Sequence, residues 1–279
     1  MDLQIIQVPY DSGHKSVRTG RGPDHFLQHR VDQLLRDCGH QVGVTRIETT
    51  APLPTEIETA FDLNRLLAGQ VSLAVSRNRF PLVLAGNCNS CLGTIAGIGQ
   101  RQLGIVWFDA HGDFNTPETT VSGFLDGMGL AMAAGHCWRL MLNTIPGFSP
   151  IPEANILHIG ARDLDPAEEQ LLRQSEVGLV TPGEGSLRPA VEAAIGRLRA
   201  KVATIYLHVD VDVLDAGAAL PNRFAAPGGL PVEFIEEIIA RLKEQFDVAA
   251  GAITSFDPGY DQNDQVLEAG LRIIKAMVA

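Results

Sequence analysis

Hydrophobic positions along this chain fall into two alternating patterns. Short, nearly unbroken apolar runs occur as LQIIQV at 3–8, PLVLAG at 81–86, LGIVWF at 103–108, ILHIGA at 156–161, VGLVT at 177–181, TIYLHV at 204–209 and GAITSF at 251–256. Runs of this length bounded by polar turns read as strands, and those with no polar alternation read as strands buried on both faces. Between them, apolar residues recur at helical spacing. Ile57, Phe61, Leu66, Leu67, Val71 and Val75 predict a helix over 55–76, and further helices are predicted over 127–134, 189–201, 231–245 and 266–278. Asp165-Pro166 opens another, with an N-cap carboxylate and proline at the first helical position. Repeated strand–helix units predict an α/β fold with a parallel sheet covered by helices and ligands at the carboxyl ends of the strands. The polar clusters at 87–90, 109–115, 160–163, 210–215 and 255–261 all follow strands, so they are expected along that one edge. Two connections stand out: a Gly/Pro loop at 216–230, and a polar, Gly-rich loop at 10–23 that is long enough to suggest function.

Two of these clusters carry distinctive chemistry. Asp109-Ala-His-Gly-Asp113 follows one apolar run, and His208-Val-Asp210-Val-Asp212 ends another. Strand alternation places Asp109 with His111, and Asp210 with Asp212. Carboxylates at the ends of buried strands are costly unless something positive neutralises them. Four Asp and one His converging on one point therefore predict a site for divalent metal, with two ions roughly 3.5–4 Å apart sharing carboxylates. Oxygen and nitrogen donors of this kind suit Mn²⁺ or a similar ion. AGNCNSCLG at 85–93 lacks the glycine spacing of a dinucleotide fingerprint, which argues against a Rossmann cofactor.

Composition narrows the partners. The 279 residues show no linker, composition shift or repeat, so residues 1–279 are expected to form a single domain. A net charge of −11 argues against nucleic acid or an anionic membrane and suits a small cationic or neutral substrate. With no leader-like or membrane-length apolar segment, a cytoplasmic location is expected. Four cysteines make no disulfide framework in a chain this long. Cys88 and Cys91 form a CxxC without the second pair a zinc ribbon needs. Cys38, Cys91 and Cys137 read as buried reduced thiols.

The run DAHGDFNTPETTVSG at 109–123 and HVDVDVLD at 208–215 resemble the signature motifs of the ureohydrolases, the arginase, agmatinase and formimidoylglutamase family. GRGP at 20–23, IGARD at 159–163 and SFDPGYD at 255–261 also fall where that family would put them, so the resemblance spans the chain. It implies a three-layer α-β-α sandwich with a mainly parallel central sheet, a binuclear manganese site and assembly into homo-oligomers, trimers or hexamers. By the same resemblance Asp109 and Asp210 bridge the metals, Asp113 completes one shell, and His111 and Asp212 complete the other. Asn115 and Ser122 match positions that contact the substrate's amino-acid end. The implied reaction is attack of a metal-bound hydroxide on an amidine or guanidine carbon, with Asp113 hydrogen-bonding the hydroxide and passing on its proton, followed by expulsion of an amine.

Three departures bear on the substrate. The family's GGDHS turn supplies a His ligand; here it reads Gly86-Asn87-Cys88-Asn89, which puts Cys88 in that place. This is similar to a branch near the hydroxyarginine-hydrolysing enzymes, which also resembles the chain in GDFNTPETT. A thiolate is softer than imidazole and favours Zn²⁺, Fe²⁺ or Co²⁺ on its side; Cys88 ligates, or stands by a weakly bound ion, or leaves that side empty. Where arginases carry a His proton shuttle, this chain has Asp126, either a proton relay or a helix N-cap. Where the last strand ends in a Glu for the guanidinium, it has Ser255, with Asp257 two residues on as the substitute. Losing a charge-assisted hydrogen bond costs roughly 1.5–3 kcal/mol, so unmodified arginine is a poor candidate unless Asp257 serves, and Phe124 points to a less polar or differently shaped substrate.

Other polar residues have plainer readings. His14, Lys15, Arg18 and Arg21 either reach a substrate carboxylate or, more commonly for such residues, are solvated or make subunit contacts. His208 lies one step deeper than Asp210 on the same face, in a supporting position. Arg162-Asp163 reads as a loop salt bridge. The sequence thus predicts a metal-dependent hydrolase of a linear C–N bond in an amidine or guanidine compound. The alternative is a degenerate ureohydrolase-fold protein with a partial metal site, acting as a binding or assembly subunit.

Overall fold

A computed structural model describes all residues except 51–52, 101, 184–185 and 218–219; the last pair leaves part of the predicted 216–230 loop outside the described residues. The described residues form ten strands: β1 (Asp2–Val8), β2 (Tyr10–Asp11), β3 (His14–Lys15), β4 (Gln41–Arg46), β5 (Phe80–Ala85), β6 (Leu103–Phe108), β7 (Ile156–Ile159), β8 (Gly178–Val180), β9 (Thr204–Asp210) and β10 (Asp247–Thr254). Eight of them form one sheet in the order β4-β1-β5-β10-β9-β6-β7-β8. Every pairing in that sheet is parallel.

The apolar runs become the central strands because both faces of each are covered. All six residues of β6 are buried. On one face Leu84, Val106, Phe108, Leu207 and Val209 pack with the helices Leu187–Arg199, Val232–Gln245 and Gln265–Val278. On the other, Val83, Ile105, Trp107 and Tyr206 pack with Glu56–Ser76 and Cys91–Ile98. The result is the expected three-layer α-β-α sandwich.

Local sequence fixes the helix that presents Cys88. Thr55 caps Glu56–Ser76 by accepting a hydrogen bond from the Glu58 amide at 3.2 Å. Helix Cys91–Ile98 then lies very close to it: a Cβ on Gly93 would come within 2.6 Å of the Asn64 carbonyl oxygen, so only glycine fits. Asn64 Oδ1 accepts from the Gly93 amide at 2.6 Å and pins the crossing.

Several expectations change. β4 and the short helices Gly22–Gln28 and Val31–Asp37 have no counterpart in the apolar pattern. β4 is an edge strand whose positions are only exposed or half-buried, so it carries no apolar run. The 10–23 loop is partly ordered as the β2–β3 hairpin and a 3-10 turn, Arg18–Arg21. The predicted 127–134 helix is a 3-10 turn, Asp126–Met128, followed by Gly129–Ala133. Cys38 is exposed rather than buried, because it caps the end of Val31–Asp37 at the surface, whereas Cys91 and Cys137 are buried. Among the described residues, no helix is long and apolar enough to cross a membrane.

Candidate metal centre

The predicted site residues meet at the carboxyl ends of four neighbouring strands, β5, β10, β9 and β6. Asn87 and Cys88 follow β5, Ser255 follows β10, Asp210 ends β9, and Asp109 follows β6. They surround a cleft of about 470 Å³ whose walls include Cys88, His111, Asp113, Asp210, Asp212 and Ser255, with Asn115, Ser122 and Asp126 further round. Asp109 is wholly buried at its floor.

Two sets of three donors lie close enough to hold an ion each, with every ligand atom within 4.8 Å of the others in its set: Cys88, Asp109 and Asp210, and Asp109, His111 and Asp212. Asp109 belongs to both. Its Oδ1 accepts from the His111 amide at 2.8 Å and its Oδ2 from Trp107 Nε1 at 3.0 Å. His111 Nδ1 lies 3.4 Å from Asp109 and 3.3 Å from Asp212. Asp212 is braced by the Ala110 amide at 3.2 Å and by Asn222 Nδ2 at 3.4 Å. Asp113 stands outside both sets. Its backbone is in the left-handed region at φ 48°, and its buried Oδ2 accepts no hydrogen bond among the described residues. Strain and an orphaned carboxylate oxygen together mark a group held ready for a ligand.

The electrostatics agree. Burial, then Asp212, pushes Asp109 up to about 6. Burial and the neighbouring carboxylates hold Asp113 and Asp210 well above the usual range. Burial would also raise Asp212, but His111 and its hydrogen bonds pull it below normal. Burial opposes charging His111, yet Asp212 and Asp109 outweigh it and raise its pKa well above the ordinary value. So much packed acid needs positive charge, and the donor set, carboxylate oxygens with one imidazole and one thiol, fits divalent ions.

Cys88 is 2% exposed. Its Sγ donates to Asp210 Oδ2 at 2.9 Å, and Thr254 Oγ1 is 3.0 Å away. Burial, then Asp210, raises its thiol well above normal. Asp126 does not cap its own helical turn. Its oxygens accept from the Asn89 amide and from Asn87 Nδ2, both at 2.8 Å, so it braces the turn that carries Cys88. Burial leaves Asp126 at about 7 despite these bonds. Asn115 Nδ2 donates to Asp165 Oδ2 at 3.0 Å, and Ser122 sits exposed at the rim, accepting from the Phe124 amide.

Two sequence expectations are corrected. Asp257, offered as the substitute guanidinium partner, does not line the cleft: it accepts from Arg21 Nη2 at 2.5 Å and from the Gly259 amide at 2.9 Å. Arg162 makes no salt bridge with Asp163; its guanidinium ties the carbonyls of Asp212, Leu214 and Ala226 and so holds the segment after β9. In the first loop, Lys15 pairs with Glu48 and Arg18 with Asp11.

Cleft residues that sequence reasoning missed include Glu168, Asn222, Arg223 and Phe224. Glu168 had a signal, since it stands three residues after Asp165 and completes a capping box. It also accepts from the Phe114 amide at 2.8 Å, and burial pushes it up to about 7. The other three lie in a loop with no motif. There the Arg223 guanidinium sits 4.4 Å over the Phe224 ring, which packs 5.4 Å from Phe124 at the cleft mouth.

Comparison with known proteins agrees with this geometry. Arginase from Bacillus caldovelox is 28% identical over 299 residues, spanning 99% of this chain and 97% of that one. Arginase from Brevibacillus brevis is 34% identical over 230 residues, 77% of this chain and 76% of the relative. The crystal structure of arginase from Bacillus subtilis superposes with a TM-score of 0.91 at 25% identity, covering 100% of this chain and 99% of that one. The sequence profile of the arginase family matches residues 1–279, and the chain belongs to that family.

Proposed function

We propose that residues 1–279 form one metal-dependent amidinohydrolase unit that cleaves a linear C–N bond in an amidine or guanidine substrate. The observation that carries this reading is the pair of ligand sets sharing Asp109 at the floor of the cleft. Cys88, Asp109 and Asp210 would hold one divalent ion, and Asp109, His111 and Asp212 would hold the other. Mn²⁺ suits the oxygen-rich side, while the thiol favours Zn²⁺, Fe²⁺ or Co²⁺ on the Cys88 side. When bound, such ions supply Lewis acidity and lower the pKa of water at the site.

The chain's own residues do the rest. Asp113, whose Oδ2 faces no protein donor, orients the attacking water and accepts its proton. Attack makes the substrate carbon tetrahedral, and the C–N bond breaks as the departing nitrogen takes a proton. Asp126, pushed up to about 7 by burial, gives that proton in this reading. Asn115 and Ser122 contact the substrate's amino-acid end, and Ser255 faces its guanidine or amidine group. Ser255 offers no charge for a guanidinium, which favours hydroxyarginine or a neutral amidine over arginine.

The test is a screen of the metal-reconstituted protein against arginine, hydroxyarginine, agmatine, guanidinobutyrate and formimidoylglutamate, scored for urea, hydroxyurea or formamide. One substrate should turn over, with about two ions per chain. Less than one ion after reconstitution with Mn²⁺, Fe²⁺, Co²⁺ or Zn²⁺, and no turnover, would instead identify a binding or assembly subunit.

A further inference from the structure

Beneath Cys88 the sheet carries buried polar groups that the proposed reaction does not use. Parallel register sets Trp107 of β6 beside His208 of β9, and His208 beside Ala252 of β10, so that Thr254 lies one step nearer the site on the same face. Tyr206 lies one step deeper than His208. These side chains connect. Tyr206 OH is 2.8 Å from His208 Nδ1, His208 Nε2 is 3.2 Å from Thr254 Oγ1, and Thr254 Oγ1 is 3.0 Å from Cys88 Sγ. Tyr206, His208 and Thr254 are each 0% exposed. Trp107 stacks flat on His208, 3.6 Å between centroids and 7° between planes, while its Nε1 holds Asp109.

An imidazole buried in an apolar layer is costly unless both nitrogens are bonded. Here the stack fixes the plane of the ring, and its two nitrogens have one partner each. That fixed ring decides where the Thr254 hydroxyl points. If Nε2–H donates to Oγ1, the single Thr254 proton goes to another acceptor. Cys88 Sγ at 3.0 Å is nearer than the Val209 carbonyl at 3.5 Å. A thiol can donate to Asp210, as Cys88 does at 2.9 Å, but a thiolate only accepts; the hydroxyls able to donate to it are Thr254 Oγ1 at 3.0 Å and, further off, Ser255 Oγ at 3.5 Å.

We propose that Thr254, aimed by His208, is a positioning residue that orients the Cys88 sulfur as a metal ligand. This rests on the reading of Cys88 as a ligand. The hydrogen bonds from Tyr206 through His208 and Thr254 end on Cys88, which belongs to one ligand set, whereas His111 and Asp212 have supports in Asp109, Ala110 and Asn222.

The probe is Co²⁺, titrated into the metal-free full-length protein and read by thiolate-to-cobalt charge-transfer absorption and by stoichiometry. In the wild type this absorption should appear with one of two ions. Thr254→Val keeps the side-chain shape and removes the donor. It should weaken that ion roughly 10- to 100-fold and shift the absorption, leaving the other ion unchanged, because loss of a partner to a ligand costs about that much. Thr254→Ser should restore both readouts. His208→Phe keeps a ring against Trp107 and should weaken the same ion, which provides a second route if Thr254→Val fails to fold. Wild-type affinity and absorption in both Thr254→Val and His208→Phe, while Cys88→Ser abolishes the absorption, would overturn the positioning role alone. Unchanged absorption in Cys88→Ser would overturn the ligand reading and the positioning role with it.

Discussion

The two halves of the site are built on opposite principles. On the His111 side, an imidazole lies between two carboxylates, and mutual attraction already satisfies the group: His111 is raised and Asp212 lowered. On the Cys88 side, a buried thiol faces Asp210, and burial raises both. The first half is held by its own charges. In the second, burial disfavours charge on both groups. A pair of ions binding to both halves would thus meet a preformed socket on one side and a proton-filled one on the other, so ion capture on the Cys88 side should release more protons.

The contrast can be broken most severely at Asp109, which both ligand sets share. Asp109→Ala should remove both ions and lower hydrolysis by more than the roughly 100-fold that a supporting partner costs, as read by metal analysis beside turnover. Full retention of one ion would show that the halves do not depend on the shared carboxylate. Next come the single-sided variants. Cys88→Ser and His111→Asn should each reduce the stoichiometry from about two ions to about one, and Cys88→His should shift that side's preference from Zn²⁺ towards Mn²⁺. Loss of both ions in either variant would erase the distinction drawn above.

Asp126→Asn probes the relay. The kcat should fall about 100-fold with both ions still bound, as expected for loss of a general acid. If metal content falls and kcat per bound ion does not, Asp126 serves only to brace the Cys88 turn.

A smaller effect concerns pH. Burial raises Glu168 from 4.5 and Asp126 from 3.8, each to about 7, so the fold favours their protonated forms. Their contribution to stability is full below their unfolded values and is lost as pH rises through about 7. The melting temperature of the metal-free protein should therefore fall over that window. Glu168→Gln, which cannot titrate, should flatten part of the slope; a steeper slope would contradict the assignment. The smallest effect is expected at Asp257. Its Arg21 partner is 48% exposed, so Asp257→Asn should cost about 1 kcal/mol or less and leave KM unchanged. A several-fold rise in KM would return Asp257 to the cleft.

Much of this was legible in the chain. The central strands are apolar because they are covered on both faces, and that makes them visible as runs. The acidic motifs follow β6 and β9, which proved to be neighbours in the sheet, so strand ends alone predicted their convergence. β4 was not legible, because an edge strand needs little apolar surface. Arg223 and Phe224 were not legible either, since their loop carries no motif of its own and only its folding brings them to the cleft. Asp257 failed for a related reason: proximity in sequence to Ser255 did not reveal that Arg21, 236 residues away, would claim it.

The sequence by itself determined the layered α/β fold, the strand ends that carry chemistry and the donor types gathered there. Periodicity, residue type and the position of a carboxylate after a buried strand are properties of short segments. Tertiary structure decided how those donors are shared and supported. It showed that Asp109 belongs to both ligand sets, that Asp126 braces the Cys88 turn, and that Tyr206, His208 and Thr254 lead from the sheet interior to the Cys88 sulfur. Most of those facts depend on contacts between residues far apart in sequence, such as Asp126 with Asn89, Thr254 with His208 and Thr254 with Cys88, which only the packed chain fixes.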